Sequence, residues 1–236
     1  MHRTTLAIGV PLSGNYLAPE WALGFSILTY PMGCSRFLTS MRGLPTDEAR
    51  NTIVRKALTQ NTEYLFFVDE DTVPPPDGLV QLMQTLSTAE DDVMVCGGIY
   101  TTKTDVAEPM VFMEYGAGAF WKWKYKDVFP CWGLGAGCML IKTAVFSKIP
   151  EPWFKTIRKR EDADPELLIK DANLFEMSED MYFCEKLHQH GFKMLAHGGV
   201  LPIHCGPNSR YYTLHNHSYP IKGVPAHELW YSKYRQ

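Results

Sequence analysis

The sequence lacks the features that mark several large classes of protein. It has no excess of positive charge, because its formal net charge is -3, and no overall basic field would draw it to nucleic acid or membrane. No apolar run is long enough for a signal peptide or a membrane span. Internal repeats and low-complexity segments are absent too. We therefore expect a cytoplasmic globular protein, and 236 residues suffice for one domain with a sizeable core.

The six cysteines are scattered, and no two of them form a C-x-x-C pair. We expect reduced and mostly buried thiols, which agrees with a cytoplasmic location. With 45% apolar and 21% charged residues, the composition is that of an ordinary globular protein.

Residues 64–76 are the most informative stretch. An apolar run stops at Asp69, Glu70 and Asp71, and a run of three prolines begins at Pro74. Such a run predicts a strand buried on both faces, which the prolines must end because they donate no backbone N–H. Since side chains alternate along a strand, Asp69 and Asp71 are expected to point the same way. Two such carboxylates suit Mg²⁺ or Mn²⁺, although a polar turn gives the same pattern.

Strand and helix patterns alternate over the first hundred residues. This alternation predicts an α/β fold with a mainly parallel central sheet and helices on both faces. Thr46 is expected to cap the second helix. The strand patterns are at residues 6–11, 35–40, 64–68 and 93–98, and the helical patterns are at residues 21–28, 46–58 and 77–87.

Two later stretches are rich in aromatic residues or glycine. Residues 121–125 alternate aromatic and lysine, which predicts a half-buried strand whose aromatic face is either core or a platform for a sugar or base. In residues 132–141, alternate glycines that include Gly135 and Gly137 precede an apolar strand. Backbone without side chains suits the close approach of a ligand. No Lys-Ser or Lys-Thr follows, so this is not a P-loop.

An acid pair and a histidine occur further along the chain. Ser178 is expected to cap a helix whose first turn holds Glu179 and Asp180. The two acids either complement the helix dipole or accept a proton from an acceptor hydroxyl. His204 follows a strand pattern and is a candidate third ligand for a metal at Asp71, although a single histidine is usually structural.

Basic residues and other histidines give weaker signals. Arg50, near the start of a helix, either faces solvent, pairs with a phosphate or stacks on a base. Residues 155–160 are basic and are followed by acids, which indicates a solvated loop or a patch for a polyanionic acceptor. The last thirty residues include His215 and His217, and we expect them to form a tail that packs on the domain or closes the site.

Taken together, these residues resemble the nucleotide-sugar glycosyltransferases of the GT-A fold, family 2-like, including phage-encoded ones. The resemblance covers roughly residues 5–206 and implies one GT-A-like domain over residues 1–206, with a small antiparallel addition to the sheet and a tail at 207–236. The pieces that carry it are the strand end at residues 8–11, the Ala-Arg-Asn helix start at 49–51, the acids at 69–71, the glycine-rich segment at 133–141, and the acids at 179–180 followed by His204.

The resemblance also implies roles for particular residues. Asp69, Asp71 and His204 would bind Mn²⁺ or Mg²⁺. Asp180 would be the general base of an inverting displacement, with Glu179 beside it. The donor would be a nucleotide sugar, with a UDP-sugar as the common choice. The residues that would contact this donor are Pro11, Arg50, Asn51, Asp69, Gly135 and Gly137.

Several alternatives remain open at this point. The acceptor is a modified base in DNA, a glycan or a protein side chain. A nucleotidyltransferase also uses a metal and paired acids, but it would need a basic pocket for a triphosphate. A non-catalytic nucleotide-sugar or glycan-binding domain would keep the aromatic residues and would not need the acids.

Overall fold

The computed structural model describes residues 4–14, 17, 19–104, 107–158, 175–206 and 211–212. Among these residues the helices are α1 (Pro19–Ser26), α2 (Thr46–Thr59), α3 (Gly78–Thr88) and α4 (Glu179–Gln189), with a 3₁₀ helix at Thr143–Ser147. The strands are β1 (Thr5–Leu12), β2 (Ser35–Arg42), β3 (Tyr64–Val68), β4 (Thr72–Val73), β5 (Val93–Gly98), β6 (Val111–Phe112), β7 (Val128–Cys131), β8 (Gly133–Leu134), β9 (Cys138–Lys142), β10 (Ile157–Arg158), β11 (Phe175–Met177), β12 (Lys193–His197), β13 (Ile203–Cys205) and β14 (Tyr211–Tyr212). None of the described helices has the length and apolar character that crossing a membrane requires.

A seven-stranded sheet in the order β2-β1-β3-β9-β5-β12-β7 forms the centre of the protein. Five of its strands run in the same direction, while β9 and β7 run antiparallel to their neighbours. The predicted α/β fold with a mainly parallel sheet is therefore confirmed. The antiparallel part is less peripheral than expected, because β9 lies in the middle of the sheet between β3 and β5.

Helices cover both faces of this sheet. On one face, Phe67 of β3 belongs to a buried cluster with Ile53 of α2 and Phe183 of α4. On the other face, Phe66 belongs to a second cluster with Leu82 of α3. Since successive side chains of a strand point to opposite faces, the apolar run of β3 feeds both clusters. This is why the strand has no polar residue before its end.

The carboxyl ends of the parallel strands meet at one edge of the sheet. Because β9 runs the other way, it begins at this edge, where Cys138 pairs with Val68. The backbone N–H of Asp69 donates to the carbonyl oxygen of Gly137 at 3.1 Å, which places the glycine-rich turn beside the acids. Helices α2 and α4 also begin here, since each is joined to a parallel strand at its other end. In open α/β sheets this edge is the usual place for ligands.

Two local predictions are wrong. Residues 121–125 form no strand, because the N–H of Trp123 donates to Trp121 O and the N–H of Lys124 donates to a carboxylate oxygen of Asp127. These local hydrogen bonds take the place of those that a strand would form with a neighbouring strand. Thr46 is the first residue of α2, and Pro45 occupies the N-cap position without a side-chain hydrogen bond.

Parts of the predicted tail and basic cluster lie outside the described residues. Of residues 207–236 only β14 is described, and its backbone pairs with His204 and Cys205 of β13. His215 and His217 are outside the described residues, as are residues 159 and 160 of the basic cluster. The role of the tail stays a prediction.

Candidate active site

Arg50 connects the end of β3 to the start of α4. Its Nη2 donates to both carboxylate oxygens of Asp69, at 2.8 and 2.9 Å, and its Nε donates to Oε1 of Glu179 at 3.1 Å. The side chain is 2% exposed and lies near the rings of Phe67 and Phe154. Burial alone would lower the pKa of Arg50, but the charges of Asp69 and Glu179 raise it above its ordinary value. Arg50 is therefore a buried, charged link and does not lie on a solvated helix face.

Asp71 faces two basic side chains. Its Oδ2 forms an ion pair with Nζ of Lys103, and its Oδ1 lies 3.4 Å from Nε2 of His204. The Nδ1 of His204 is 2.6 Å from the carbonyl oxygen of Thr101, which can only accept, so Nδ1 carries a proton. Burial raises the pKa of Asp71, but His204 and Lys103 outweigh burial and lower it to about 2. Asp71 is therefore ionised at neutral pH.

The three acids of the central motif lie in a turn and not in a strand. Residues 69–71 form a turn between β3 and β4, closed by a bond from Thr72 N to Asp69 O at 3.0 Å, so strand alternation does not apply. Glu70 turns to the loop after β1, where its Oε1 accepts the backbone N–H of Ser13 at 3.0 Å. Asp69 and Asp71 thus have separate partners.

The predicted metal ligands fit a cation only in part. Both oxygens of Asp69 accept hydrogen bonds from Arg50, so Asp69 is less available to a cation than Asp71 is. Asp71 and His204 do suit a cation, because two ligand atoms at about 2.1 Å from one ion lie about 3 Å apart. The bond from Nδ1 of His204 to a carbonyl is also typical of metal-binding histidines. Within the described ranges, no group of three His, Cys, Asp or Glu side chains is arranged to hold a metal ion.

Asp180 occupies the first turn of α4 and is 7% exposed. Its Oδ1 accepts the backbone N–H of Met181 at 2.8 Å and the hydroxyl of Ser178. Ser178 stands at the N-cap position, but its hydroxyl serves Asp180 and caps no backbone N–H, so the predicted capping role is wrong. Burial and the charge of Glu179 raise the pKa of Asp180 to about 6, although Ser178 and Arg50 act against them.

A cavity of about 110 Å³ opens at the carboxyl ends of β1 and β3. It includes three of the predicted site residues, Pro11, Asp69 and Asp71. Three of its lining residues are acidic, and none of the described lining residues is basic. The lining residues are Pro11, Leu12, Ser13, Leu44, Thr46, Ala49, Asp69, Glu70 and Asp71.

Asn51 lies apart from this cavity. Its Nδ2 donates to the carbonyl oxygen of Phe154 at 2.7 Å, and its Oδ1 accepts the N–H groups of Trp153 and Phe154 at 3.0 and 3.1 Å. The side chain is 6% exposed. Asn51 therefore holds the segment that packs Phe154 beside Arg50, and it does not line the cavity proposed for a nucleotide.

Tyr100 fills the space that Gly135 and Gly137 leave. Its hydroxyl accepts the N–H of Gly137 at 3.0 Å, a Cβ on Gly137 would lie 2.9 Å from that hydroxyl, and a Cβ on Gly135 would collide with it. The ring of Tyr100 also packs edge-on against His204, with centroids 5.2 Å apart. The absent side chains thus make room for a tyrosine of this chain rather than for a ligand.

Sequence reasoning missed both Tyr100 and Lys103. Their position in the sequence could have identified them, because both follow the carboxyl end of β5, which lies at the same edge of the sheet as the acids. A polar or basic residue soon after a parallel strand is a candidate by the same argument that singled out Asp69 and Asp71.

No known protein family matches the sequence, and no curated protein matches it either. Solved structures do match. The crystal structure of A197 from STIV has a TM-score of 0.58 and 18% identity, and the match covers 91% of this chain and 95% of that chain. The GT-A-like α/β fold that the resemblance implied is confirmed.

Two further matches are more distant. The crystal structure of S. aureus TarS 1-349 matches with a TM-score of 0.44 and 11% identity, covering 89% of this chain and 60% of that chain. A glycosyltransferase involved in the glycosylation of the major capsid of PBCV-1 matches with a TM-score of 0.33 and 11% identity, covering 62% of this chain and 68% of that chain.

Proposed function

We propose that this protein is a glycosyltransferase that moves a sugar from a nucleotide-sugar donor to an acceptor hydroxyl. The observation that carries the proposal is the division of carboxylates at one edge of the sheet. Asp69 and Asp71 line a cavity, and Asp180 stands at the start of α4 with a pKa raised to about 6. Arg50 joins the two groups through Asp69 and Glu179. The GT-A-like fold supports the proposal.

The cavity beside Pro11 and Asp69 is the proposed place for the nucleotide. A carboxylate offers about four lone-pair positions, so Asp69 keeps acceptor capacity for ribose hydroxyls after it has bonded to Arg50. Glu70 fixes the wall of the cavity, because its carboxylate also accepts the N–H of Gly14 at 3.3 Å. We propose a UDP-sugar as the donor.

Asp71 and His204 are the residues that would hold Mn²⁺ or Mg²⁺. A bound cation of this kind supplies neutralising charge to the diphosphate as it leaves. Two protein ligands suffice for such an ion, because Mg²⁺ usually completes its shell with water and substrate phosphate oxygens. Asp69 is not part of this proposed set, since its oxygens bond to Arg50 and its remaining lone pairs are assigned here to the ribose.

Asp180 is the proposed general base. It accepts the proton of the acceptor hydroxyl as that oxygen attacks C1 of the sugar, the bond from C1 to the diphosphate breaks, and the anomeric configuration inverts. A pKa of about 6 leaves the carboxylate mostly ionised at pH 7 while keeping it a stronger base than an ordinary aspartate. The acceptor is a glycan, a modified base in DNA or a protein side chain.

The reaction is proposed to take place in the cytoplasm. No disulfide joins any of the six cysteines, all of which lie among the described residues, and five of them are buried, which agrees with a reducing compartment.

A thermal-shift screen with nucleoside diphosphates and nucleotide sugars, in Mn²⁺ and then in EDTA, tests the donor site. A ligand that binds the folded protein raises the melting temperature, so one nucleotide class should give a clear rise. The stabilising nucleotide sugar is then incubated with the protein, and release of free sugar is measured. We expect Asp180→Asn to slow this release by about 10²–10⁴-fold.

Asp91→Asn is the matched control, because Asp91 is exposed and precedes β5 at the opposite edge of the sheet. It should leave the rate unchanged. Binding without any release of sugar would favour a non-catalytic nucleotide-sugar-binding domain. Turnover of nucleoside triphosphates instead would favour a nucleotidyltransferase, and no stabilisation by any nucleotide would contradict the proposed donor site.

A further inference from the structure

The proposed donor cavity is lined by acidic residues, although its proposed ligand is an anion. Asp69, Glu70 and Asp71 line it, and its described lining residues include no lysine or arginine. A nucleoside diphosphate is itself anionic, and like charges at close range repel each other. Positive charge must therefore come from a cation at Asp71 and His204, from a basic side chain beside the cavity, or from both.

Arg50 does not supply this charge. Its guanidinium is opposed by two carboxylates, those of Asp69 and Glu179, so the group of three carries net negative charge. The side chain is only 2% exposed. Its remaining nitrogen, Nη1, has no hydrogen-bond partner among the described residues, but it is also fully buried.

Lys103 has the position and the freedom that Arg50 lacks. Its Nζ contacts Oδ2 of Asp71, a residue of the cavity wall, and its side chain is 29% exposed. An ammonium group has three N–H donors, so Nζ can keep Asp71 and still donate to a phosphate oxygen. The lysine therefore already lies where the cavity needs a cation.

The backbone that carries this lysine is anchored. Thr101 forms an isolated bridge with Pro109, and the N–H of Thr102 donates to the carbonyl oxygen of Glu108 at 2.9 Å. The carbonyl oxygen of Thr101 also faces Nδ1 of His204 at 2.6 Å. One anchored segment therefore orients both basic side chains that face the central acid.

We infer that Lys103 binds the diphosphate of the donor and stabilises it as the leaving group, an inference that rests on the proposed glycosyl transfer. Lysine binds phosphate as a point charge with N–H donors. When the bond between C1 of the sugar and the diphosphate oxygen breaks, negative charge grows on that diphosphate. An ammonium held in place beforehand stabilises this charge most in the transition state. The lysine keeps its proton throughout.

Lys103 and a cation at Asp71 and His204 would contact different oxygens of the same carboxylate. The two carboxylate oxygens of Asp71 face different partners, Oδ2 toward the lysine and Oδ1 toward the histidine. Removal of a divalent cation therefore leaves one positive charge beside the cavity. We expect measurable binding of the diphosphate in EDTA, and that binding should depend on Lys103.

Isothermal titration in EDTA tests this inference. The ligands are the diphosphates of uridine, cytidine, guanosine, adenosine and thymidine, each compared with its nucleoside in competition. We expect the wild type to bind one diphosphate more tightly than the corresponding nucleoside. Lys103→Met should bind that diphosphate about 10- to 100-fold more weakly, which is the range of one charged hydrogen bond, and should bind the nucleoside as before. Lys103→Arg, which keeps the charge, should lose less.

Lys193→Met is the matched control. Lys193 also pairs with an aspartate, Asp92, at 2.8 Å, but it lies at the amino end of β12, away from the site. Lys193→Met should change neither the affinity for the diphosphate nor the affinity for the nucleoside. The inference is overturned if Lys103→Met binds the diphosphate as tightly as the wild type, or if it loses nucleoside and diphosphate affinity equally. If no diphosphate binds the wild type even with Mn²⁺, the proposed donor site fails and the inference fails with it.

Discussion

Asp71 and Asp180 lie at the same edge of the sheet in opposite environments. Asp71 is about one third exposed, and His204 and Lys103 outweigh the effect of its burial and lower its pKa to about 2. Asp180 is 7% exposed, and burial together with the neighbouring charge of Glu179 raises its pKa to about 6. The two side chains are chemically identical, so their surroundings alone produce the difference.

This difference supports the different tasks proposed for the two carboxylates. A carboxylate that never binds a proton near neutral pH suits electrostatic work on a cation or lysine, whereas one that titrates near neutral pH suits proton transfer. Arg50 connects the two groups of acids, because it binds Asp69 beside the cavity and Glu179 beside the proposed base. Of the two carboxylates, only Asp180 has its pKa influenced by Arg50, which lowers it.

Arg50→Met is expected to have the largest effect, because it removes that shared cation. Asp69 and Glu179 would remain largely buried without a partner, and loss of one partner from a buried ion pair costs about 3–5 kcal/mol. The free energy of unfolding in urea at pH 7 measures this loss. The midpoint should fall while the slope stays the same, since the surface exposed on unfolding does not change.

Arg55→Met, five residues later on α2, is the matched control. Arg55 pairs with Glu151 at 2.6 Å, but the two side chains are 53% and 46% exposed. Pairs of this kind contribute less than about 1 kcal/mol. If Arg50→Met and Arg55→Met lose the same free energy of unfolding, burial does not make the ion pairs of Arg50 more stabilising than the exposed pair of Arg55. That result would contradict the prediction.

The pH dependence of stability gives the second-largest effect. Since the pKa of Asp180 is 3.8 unfolded and about 6 folded, the folded state holds this proton more tightly. Its contribution is therefore greatest below pH 4 and is lost as pH rises through 6, by up to about 3 kcal/mol. Asp71 acts in the opposite sense, since its lowered pKa stabilises the fold above pH 4 and this is lost as pH falls toward 2.

Subtracting the unfolding free energy of Asp180→Asn from that of the wild type isolates the first contribution. The difference should decrease between pH 4 and pH 7, because asparagine does not titrate. Urea titrations at intervals across this range measure it. A difference that is flat with pH would mean that Asp180 has an ordinary pKa, which would remove the argument for it as the base.

The fold was predictable where the signal is local. Residues 64–68 and 93–98 are apolar runs, and they form β3 and β5 as expected. The direction of β9 was not predictable, because a strand buried on both faces has the same pattern in either direction. Its direction depends on where the preceding chain enters the sheet, which is a long-range property.

The site was predictable only as a set of acids. Asp71 and Asp180 were found because polar residues at strand ends and helix starts gather at one edge of such a sheet. Their partners could not be found, since Arg50 meets Glu179 across 129 positions and Lys103 meets Asp71 across 32. Nothing local in the sequence states which carboxylate each cation will face.

Tyr100→Phe should have the smallest effect on stability. It changes a residue that interacts with the surroundings of both Asp71 and Asp180. Tyr100 packs against His204 on the side of Asp71. Burial, followed by the charges of Asp69 and Asp180, raises the pKa of its hydroxyl. The substitution removes only that hydroxyl, which accepts the N–H of Gly137. Loss of one neutral hydrogen bond costs about 1 kcal/mol, measurable as the free energy of unfolding at pH 7.

Tyr115→Phe is the control for this change, since Tyr115 is 59% exposed and its hydroxyl removal should leave stability unaltered. If Tyr100→Phe is as stable as the wild type, the hydroxyl does not hold the glycine turn. The second test uses Gly135→Ala, whose Cβ would collide with that hydroxyl. Tyr100→Phe removes the nearest colliding atom and keeps Cζ, which would lie 2.7 Å from the new Cβ. Gly135→Ala should therefore still destabilise the phenylalanine variant, but less than it destabilises the wild type.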